Sequence, residues 1–518
     1  MTSAADRVSA GLRPARAARP IRPGERIHII GVSGAGASAA ALIAHHAGAI
    51  VDGCDRDGPS PYTAALAALG IPISSVHDAT HVTSPPTPDR LAVTKALTAV
   101  EPDHPELLAA RAAGIAAEPW QQVVADAAIG RTLVGVAGTH GKSTTAGWLV
   151  HVLVKAGRDP SAFVGALLPS AITGGLAATA RWGSGDAFVV EADEYAGNFD
   201  PFIPDVAVLT SADWDHPDVF PERSSVTDAF EAWLSRMPDG ATLVANVGDP
   251  GVETVVDRLR DRQIKLVAYA LVDASIQRGG YLRGISERYR TAAGPAGSLL
   301  GRIVTADPEG TTVELYGLDP LAGAVTMRLS TAGRHNVANA LAVAGSATSL
   351  GLGVDEIIAG ITSFAGVGRR LERKGESRGV VVYDDYGHHP TAIHETLLAI
   401  RQREPGRRVW AVYEPLTYVR TAAMLETFAE VLTEADAVAV ADIYAIRDTD
   451  LTITSARALA DAVSVNRPDM TVLAPGTVEA TADALALVVQ PGDAVLVMGG
   501  GHSYRIGERL LERLDDQG

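Results

Sequence analysis

The sequence contains one cysteine, Cys54, among 518 residues. A single cysteine excludes an intrachain disulfide and a zinc site built from cysteines, and it permits a reducing compartment. Basic residues are also scarce, because 44 lysines and arginines stand against 61 acids and give a formal net charge of −17. A protein that binds duplex nucleic acid normally carries a basic face, so nucleic acid is not expected as a partner.

Long apolar runs are missing as well. No stretch of 18 apolar residues is free of charged or polar breaks, so no transmembrane helix is predicted. The first 26 residues are rich in Arg, Ala and Pro and lack the apolar core of a secretory signal. These absences favour a cytoplasmic protein without membrane insertion. The composition of residues 1–26 predicts a flexible N-terminal extension.

Short apolar, β-branched runs alternate with Ala- and Leu-rich stretches along the rest of the chain, as in parallel sheets with crossover helices. A chain of this length exceeds one hydrophobic core. We therefore predict an α/β protein of three domains. They are a Rossmann-like domain at 27–128, a central P-loop-type ATPase domain with a mostly parallel sheet at 129–370, and a Rossmann-like C-terminal domain at 371–518. The Gly-rich stretch 275–325 is either an elaborated β-region or a mobile insertion.

The strongest local signal is a glycine-rich turn between a predicted strand, Thr132–Ala137, and a predicted helix, Ser143–Lys155. Glycines let backbone N–H groups approach phosphate oxygens, and the start of a helix adds unsatisfied donors. Lys142 supplies positive charge, and the Ser143 hydroxyl suits Mg²⁺. The spacing departs from Walker A, because Val136 occupies the place of its first glycine. We predict an ATP site formed by Gly138, Thr139, His140, Gly141, Lys142, Ser143 and Thr144.

Acidic clusters follow two further predicted strands, Ala187–Glu191 and Val206–Thr210. In open α/β sheets the ligand crevice lies at the carboxyl ends of the strands. Carboxylates gathered there suit a magnesium ion held between protein and nucleotide phosphates. The first cluster is Glu191, Asp193 and Glu194, and the second is Asp213, Asp215 and His216.

A second glycine turn, Gly31-Val32-Ser33-Gly34-Ala35-Gly36, follows the first predicted strand, Ile27–Ile30. Asp55 follows the second predicted strand, where a ribose-binding acid usually lies. The pattern is close to a dinucleotide fingerprint, so an NAD-dependent dehydrogenase is a competing interpretation. A plain tight turn is the simpler one.

Three polar groups mark the last part of the chain. Asp384-Asp385-Tyr386-Gly387-His388-His389-Pro390 follows the predicted strand Val380–Tyr383. Its paired histidines suggest a metal site, but no other Cys/His cluster in the sequence completes the four ligands of zinc, so we favour phosphate or carboxylate handling. Asn336 and Asn339 either read an adenine edge or cap the predicted helix 337–349. Arg369-Arg370 could bind phosphates across a domain junction.

Taken together and in order from Ile27 to Leu511, these motifs resemble the Mur ligase family. The resemblance implies an ATP-dependent, ADP-forming ligase of peptidoglycan synthesis that uses ATP and Mg²⁺. Gly138–Thr144 resembles the ATP loop of the family, and Glu191-Ala-Asp-Glu with Asp215-His216 resembles its magnesium sites. Arg334-His-Asn with Asn339 resembles the motif on the adenine side. Gly368-Arg-Arg resembles the domain junction, and Asp384–Pro390 resembles the motif of the C-terminal domain.

The resemblance also implies roles for single residues. The expected catalytic residues are Lys142, Glu191, His216, Asp385, His388 and Arg420. The expected metal ligands are Ser143 and Glu191 for one Mg²⁺ and His216 for a second. Asn336, Asn339 and Arg370 join the loop around ATP. The expected UDP-sugar-binding residues are Gly31, Ser33, Gly34, Ala35, Gly36, Ser38 and Asp55.

The opening motif of the chain is Ile27-His-Ile-Ile-Gly-x-x-Gly-x-Gly-x-Ser38. It is most similar to that of family members that join L-alanine to the lactyl carboxylate of UDP-N-acetylmuramate through an acyl phosphate. Those members usually carry His-Arg before Tyr-x-Arg-Thr, whereas here Leu416-Thr417 precede Tyr418-Val419-Arg420-Thr421. Glu191–Tyr195 and Glu414-Pro415 resemble instead members that add a preformed tripeptide. L-alanine is the expected acceptor, and the peptide acceptor is the alternative. A non-catalytic nucleotide sensor also stays open, and no oligomeric state is predicted.

Overall fold

The computed structural model describes residues 8–101, 103–272, 284, 288, 295–319, 323–445, 448 and 450–516. The described residues form three β-sheets in succession along the chain, each flanked by helices. The predicted three-domain α/β fold is therefore confirmed. No helix among these residues is both long enough and apolar enough to cross a membrane.

The first sheet has the strand order β3-β2-β1-β4-β5, and its described pairs are parallel. Its strands are β1 Arg26–Ile30, β2 Ile50–Cys54, β3 Ile73–Ser74, β4 Arg90–Val93 and β5 Ala116–Pro119. Its helices are α1 Ala35–His46, α2 Ala64–Ala68, α3 Thr80–Thr83, α4 Lys95–Val100, α5 Pro105–Ala113 and α6 Trp120–Ala127. This order puts the turn between β1 and α1 where the strand order reverses, the usual ligand crevice.

The segment before β1 packs on this domain. Arg16 Nε donates to Glu118 Oε1 at 2.7 Å, and Arg16 Nη2 donates to Asp126 Oδ2 at 2.8 Å. The side chain of Ile21 is buried. The prediction of a flexible extension is wrong for residues 8–26, because arginines that look solvated in the sequence pair with carboxylates from far along the chain. Residues 1–7 lie outside the described residues.

The described part of the central region contributes a sheet of order β15-β14-β13-β12-β11-β10-β6-β9-β7-β8. The strands are β6 Thr132–Ala137, β7 Ser161–Leu168, β8 Ala178–Arg181, β9 Ala187–Glu191, β10 Val206–Leu209, β11 Thr242–Asn246, β12 Lys265–Leu271, β13 Pro295–Asp307, β14 Gly310–Tyr316 and β15 Ala324–Leu329. The helices are α7 Lys142–Lys155, α8 Ser170–Thr173, α9 Arg223–Leu234, α10 Pro250–Arg258, α11 Arg334–Ser349 and α12 Val354–Thr362.

The central sheet is parallel except at its edges, where β13 to β15 and the pair β7–β8 are antiparallel. The described part of the Gly-rich stretch is therefore an elaborated β-region, since β13 and β14 lie within it. Residues 275–283, 285–287, 289–294 and 320–322 of that stretch lie outside the described residues.

In the described C-terminal region the sheet order is β16-β17-β21-β18-β19-β20, with only the β16–β17 pair antiparallel. Its strands are β16 Glu372–Ser377, β17 Val380–Asp385, β18 Arg408–Glu414, β19 Ala437–Ala441, β20 Thr471–Gly476 and β21 Asp493–Gly499. Its helices are α13 Pro390–Arg403, α14 Tyr418–Ala423, α15 Leu425–Leu432, α16 Ala456–Asn466, α17 Val478–Val488 and α18 Tyr504–Asp516.

The three regions contact one another. The rings of Trp120 and Phe163 pack edge to face with centroids 5.1 Å apart and join the first domain to the central sheet. His389 of the C-terminal domain places Nε2 3.0 Å from the carbonyl oxygen of Trp214 in the central domain. The carboxyl ends of β6, β9 and β10 therefore face the C-terminal domain across a closed junction.

Candidate active site

The turn between β6 and α7 approaches its neighbours so closely that two of its positions require glycine. Gly138 has φ +134° and Gly141 has φ +83°. A Cβ at Gly138 would lie 2.2 Å from Thr210 Oγ1, and one at Gly141 would lie 2.6 Å from Asn339 Oδ1. Both the backbone conformation and the space exclude a side chain. The glycines thus hold the loop against β10 and α11.

Lys142, the first residue of α7, reaches the acids that follow β9. Its Nζ donates to Gly138 O at 2.7 Å and to Glu194 Oε2 at 2.8 Å, and lies 3.7 Å from Asp193 Oδ1. Burial lowers the pKa of Lys142, but the carboxylates of Glu194 and Asp193 outweigh it and hold the pKa above its ordinary value. Burial raises the pKa of Glu194 to about 7. The loop and the first acidic cluster therefore form one site.

Ser143 lies between an acid and a base from two other elements. Its hydroxyl donates to Glu191 Oε1 at 2.9 Å and accepts from Arg370 Nη2 at 2.7 Å. The other oxygen of Glu191 accepts from Gly165 N at 2.6 Å. Arg370 Nε is buried and has no hydrogen-bond partner among the described residues. A buried donor without a partner is costly, so the arrangement favours an anion beside Ser143.

Arg420 joins the C-terminal domain to the second acidic cluster. Its Nε donates to Asp215 Oδ1 at 2.7 Å, and its Nη2 lies 3.0 Å from His216 Nδ1. Burial alone would raise the pKa of Asp215, but Arg420 and His216 hold it well below its usual range. His216 has φ +57°, a conformation that non-glycine residues rarely adopt outside functional sites. Within the described chain, the buried Nη1 of Arg420 has no partner.

Two of the groups that could hold a divalent cation at this junction include the metal ligands expected from the sequence. Ser143 and Glu191 form the first set, as described above. In the second set, Asp193, Glu194 and His216 offer ligand atoms that all lie within 4.8 Å of one another. Hydroxyl and carboxylate oxygens are the donors that Mg²⁺ prefers, so the oxygen ligands of both sets fit that ion. The sequence analysis expected Ser143 and Glu191 at one ion and His216 at a second, and binding of the metal stays a prediction.

A cavity of about 340 Å³ lies beside the loop, between the central and C-terminal domains. This volume is within the range of small-molecule sites. Its lining includes Gly141, Thr144, Asn246, Asp249, Asn336, Asn339, Arg370 and Glu395. The sequence analysis missed Asn246, the last residue of β11, and Asp249, which follows it, although β11 ends at the same edge of the sheet as β6 and β10.

The two asparagines of α11 line this cavity but are partly engaged within the protein. Asn336 Nδ2 donates to Ala332 O at 2.7 Å, and Asn339 Nδ2 donates to Asn336 Oδ1 at 3.2 Å. The capping interpretation is wrong, because Gly333 occupies the N-cap position and no side chain caps α11. Adenine contact through the same residues stays a prediction.

A second cavity, of about 770 Å³, lies where all three domains meet. It is lined by Tyr62 from the first domain, Leu167 from the central domain, and the bases Arg369, Arg370 and Lys374. Arg370 lines both cavities, so it stands between the nucleotide side and the side that faces the first domain.

The acid and the two histidines that follow β17 have three different surroundings. The oxygens of Asp385 accept from Leu371 N and Gly387 N, each at 2.7 Å. These backbone donors orient the carboxylate of Asp385, which also lines the cavity beside the loop, and its catalytic role stays a prediction. His388 Nδ1 lies 3.0 Å from Tyr386 O, and burial lowers the pKa of His388 well below its usual value, so we infer a neutral ring.

His389 does not join His388 in a metal site. Its Nδ1 accepts from Thr391 N at 3.2 Å and caps α13, while Nε2 faces the Trp214 carbonyl. Its ring lies 4.6 Å from that of His140 on the loop. Burial lowers the pKa of His389 to about 4, which keeps the ring neutral at pH 7. The two histidines are thus divided between opposite sides of the turn.

The turn between β1 and α1 is held by Asp55. Ser33 N donates to Asp55 Oδ2 at 3.0 Å, and Asp57 N donates to Asp55 Oδ1 at 3.0 Å. Gly31 has φ +80°. Gly34, Ala35 and Gly36 keep part of their surface accessible at the start of the helix. Asp55 thus has a structural role that the sequence did not show, and its contact with UDP stays a prediction.

Ser38 is an exception among the expected UDP-binding residues. It is fully buried, and its hydroxyl lies 3.0 Å from Ala35 O and 3.1 Å from Thr179 Oγ1 of the central domain. Its side chain therefore forms a contact between the first and central domains and is not accessible to a ligand, so the expectation that it binds UDP is wrong.

Gly36 is required by packing. A Cβ there would lie 2.1 Å from Trp120 Cζ2, whereas the nearest atom to one at Gly34 is 3.5 Å away. We expect Gly36→Ala to destabilise the protein by about 1–3 kcal/mol through overpacking, and Gly34→Ala to cost much less. Urea unfolding of the two variants measures the difference. Equal stability of the two would contradict the proximity of Trp120.

Three family models match successive parts of the chain. Residues 26–132 match the Mur ligase family catalytic domain, residues 136–347 the Mur ligase middle domain, and residues 369–501 the Mur ligase glutamate ligase domain. The matches have the same order as the three sheets.

Similar proteins of known name match nearly the whole chain. The UDP-N-acetylmuramate–L-alanine ligase of Frankia casuarinae is 36% identical over 516 residues, which cover 95% of this chain and 98% of that ligase. The ligase of the same name from Roseiflexus sp. is 35% identical over 501 residues, with 95% and 99% covered.

Solved structures share the fold. A UDP-N-acetylmuramate–alanine ligase of Thermotoga maritima has a TM-score of 0.74 at 24% identity and covers 95% of this chain and 100% of that one. A murein peptide ligase of Psychrobacter arcticus has a TM-score of 0.70 at 23% identity, with 95% and 99% covered. At these identities the likeness concerns the fold alone.

Proposed function

Because the chain belongs to the Mur ligase family, we propose that it joins L-alanine to the lactyl carboxylate of UDP-N-acetylmuramate, with ATP converted to ADP and phosphate. The main support is the 36% identity to a ligase of that name over 98% of its length. The meeting of the loop, the acidic clusters and Arg420 at one domain junction supports it independently. This reaction belongs to peptidoglycan precursor synthesis and to the cytoplasm.

The first step is transfer of a phosphoryl group. A carboxylate is a poor electrophile because its leaving group would be oxide. A lactyl carboxylate oxygen attacks the γ-phosphorus of ATP, the bond to the β-phosphate bridge oxygen breaks, and ADP leaves. Catalysis of such a step consists of alignment and charge stabilisation. We assign the loop backbone and Lys142 to the β- and γ-phosphates. We assign the unpartnered Nε of Arg370 to the phosphoryl group that is transferred beside Ser143.

The second step forms the amide. The amine of alanine attacks the carbonyl carbon of the acyl phosphate, phosphate leaves, and one amine proton is lost. The proton passes to water, and the neutral ring of His388 is suited to orient the amine, because its Nδ1 faces the Tyr386 carbonyl at 3.0 Å and leaves Nε2 as a hydrogen-bond acceptor. Arg420, with its unpaired buried Nη1, stabilises the negative charge that develops on the acyl phosphate.

Magnesium would be held by two groups of side chains. Ser143 and Glu191 suit an ion on the nucleotide phosphates, and Asp193, Glu194 and His216 suit one near the substrate carboxylate. When bound, Mg²⁺ neutralises charge on the phosphate oxygens. An ion held by Glu194 would replace Lys142 as the partner of that carboxylate and would leave the lysine available to the nucleotide phosphates.

The acceptor side departs from the pattern usual in alanine-adding members. Leu416 pairs with Tyr444 in a β-bridge, and the Thr417 side chain caps α14 by accepting from Arg420 N. These residues therefore support Arg420 from within the C-terminal domain. Selectivity for alanine rests on side chains other than the usual His-Arg pair.

We expect phosphate release from ATP to require Mg²⁺, UDP-N-acetylmuramate and L-alanine together. A coupled phosphate assay with L-alanine, glycine, L-serine or L-alanyl-γ-D-glutamyl-meso-diaminopimelate in separate reactions measures this, and mass spectrometry of the product identifies the new amide. Release that depends only on the tripeptide would move the protein to the peptide-adding branch. Nucleotide binding without release for any acceptor would refute the proposal in favour of a sensor.

A further inference from the structure

A group of metal-ligating side chains lies in the first domain, outside the site proposed for catalysis. His28 of β1, Cys54 at the end of β2, His81 of α3 and Glu106 of α5 offer ligand atoms that all lie within 4.8 Å of one another. His28, Cys54 and Glu106 are buried, while the side chain of His81 keeps 22% of its surface exposed. No step of the proposed reaction uses these residues, and His81 gives the group an opening to solvent.

Glu106 is the centre of this group. Its Oε2 lies 3.1 Å from His28 Nε2, and its Oε1 lies 2.8 Å from His81 Nδ1 and 3.2 Å from Cys54 Sγ. Ligand atoms around tetrahedral zinc are separated by about 3.3–3.8 Å, as bond lengths of about 2.0–2.3 Å require. The three separations from Glu106 are shorter than these by about 0.1–0.5 Å, and all the ligand atoms lie within 4.8 Å of one another, so the group has the size of a metal site.

A second layer of residues orients the ligands. Asp52 Oδ1 lies 2.6 Å from His28 Nδ1, on the side of the ring away from Glu106. A carboxylate behind a histidine is the usual support of a zinc ligand, since it turns the other ring nitrogen toward the metal. Asp78 N donates to Glu106 Oε1 at 3.0 Å and holds that carboxylate in place.

Carboxylates and further histidines surround the group. Asp52 Oδ1 and Glu106 Oε2 face the two nitrogens of the His28 ring. Among the described residues, the buried ring of His104 has no hydrogen-bond partner at either nitrogen, and it lies 4.5 Å from the ring of His77. The carboxylates favour a cation at this place, and further imidazole donors lie beside the ligands.

We propose that His28, Cys54, His81 and Glu106 bind one divalent cation of the zinc type. Thiolate and imidazole ligands favour zinc over magnesium, which distinguishes this group from the oxygen-rich sets at the domain junction. A mixed set with one cysteine is compatible with the single Cys54, which excluded only a site built from several cysteines. The proposal does not depend on the ligase reaction.

The cation would stabilise the turn expected to hold UDP. Gly31 N and Val32 N donate to the carbonyl oxygen of Cys54 at 2.9 Å and 3.2 Å. The side chain of the next residue, Asp55, accepts a hydrogen bond from Ser33 N. A metal bond at Cys54 therefore fixes the backbone on which this turn is built. The site is structural, and it links β1, β2, α3 and α5.

Cobalt(II) is the probe that tests this assignment. Untagged full-length protein, stripped of metal with a chelator, is titrated with Co²⁺ and followed by absorption. We expect one equivalent to bind with a thiolate-to-cobalt charge-transfer band, and Zn²⁺ to displace it. Because Cys54 is the only cysteine, this band reports on the proposed site alone and not on the sets at the domain junction.

Variants of the ligands and of their support sharpen the test. We expect His81→Ala to weaken Co²⁺ binding at least about 10-fold and Asp52→Asn, which keeps all four ligands, to weaken it about 10–100-fold. His46→Ala, an exposed histidine of the same domain, is the matched control and should bind as the wild type does. Circular dichroism verifies the fold of each variant.

Two results would overturn the proposal. One is the absence of a thiolate band at saturating Co²⁺ in folded wild-type protein. The other is a band whose Co²⁺ dependence is unchanged in His81→Ala. Protection of Cys54 from a thiol reagent by Zn²⁺, present in the wild type and lost in His81→Ala, would support it by a readout that requires no turnover.

Discussion

Replacement of Lys142 by alanine should lower turnover by about 10³-fold or more, the scale expected when a charge that stabilises a transferring phosphoryl group is lost. The reason is local. In an acidic protein, Lys142 is the cation that α7 places at the loop, and its Nζ lies 2.7 Å from Gly138 O and 2.8 Å from Glu194 Oε2. The phosphate release assay with saturating ATP measures the effect.

Lys155→Ala provides the control, since it removes an exposed lysine at the other end of the same helix. It should leave turnover unchanged. Thermal unfolding separates loss of chemistry from loss of fold, because the unpaired Glu194 of Lys142→Ala can take up a proton rather than remain charged. A folded Lys142→Ala protein with near-wild-type activity would remove the loop from the mechanism.

Replacement of Arg420 by methionine should affect both activity and stability. The buried Asp215 loses the guanidinium 2.7 Å from its carboxylate, and breaking a buried pair costs about 3–5 kcal/mol. Turnover should fall by about 10²–10³-fold, as for loss of one donor to a developing anion. Phosphate release and urea unfolding measure the two effects.

A double variant separates the two roles of Arg420. Arg420→Met with Asp215→Asn leaves no buried charge unpaired, so we expect stability to recover while turnover stays low. Arg457→Met is the matched control, because Arg457 forms an ion pair with Asp461 on an exposed helix face, with 75% of its side chain accessible. Recovery of turnover together with stability would show that Arg420 only supports the fold.

The sequence by itself determined the strands and the order of the motifs. Strands β6 and β9 lie at the bounds predicted for them, Thr132–Ala137 and Ala187–Glu191. The reason is that a parallel strand covered on both faces is a nearly continuous apolar run. The motifs follow the ends of such strands, so the ATP loop and the acidic clusters could be located without coordinates.

Helix starts were less predictable from sequence. α11 begins at Arg334, although the apolar pattern indicated a start at 337, and α7 begins at Lys142, one residue before the predicted start. Functional helices begin with polar residues that resemble a loop. The helical spacing of apolar residues can be recognised in the sequence only after the first turn of the helix.

Tertiary structure alone decided which charged and polar groups meet. Arg16 pairs with Glu118 and Asp126, the Ser38 hydroxyl faces Thr179, and Asp385 holds backbone N–H groups. Local sequence predicts a solvated, ligand-binding or catalytic side chain at each of these positions. The partners are far apart along the chain, so the residues around each position do not indicate which partner it contacts.

The group of histidines, cysteine and glutamate in the first domain is likewise formed by the tertiary structure. His28, Cys54, His81 and Glu106 have no spacing typical of a metal motif, and strand order brings them together. The amino-acid sequence thus determined the family, the order of the domains and the nucleotide loop, because these depend on local periodicity and short motifs. The fold decided the partner and environment of each ionisable group, because burial and distance set its charge.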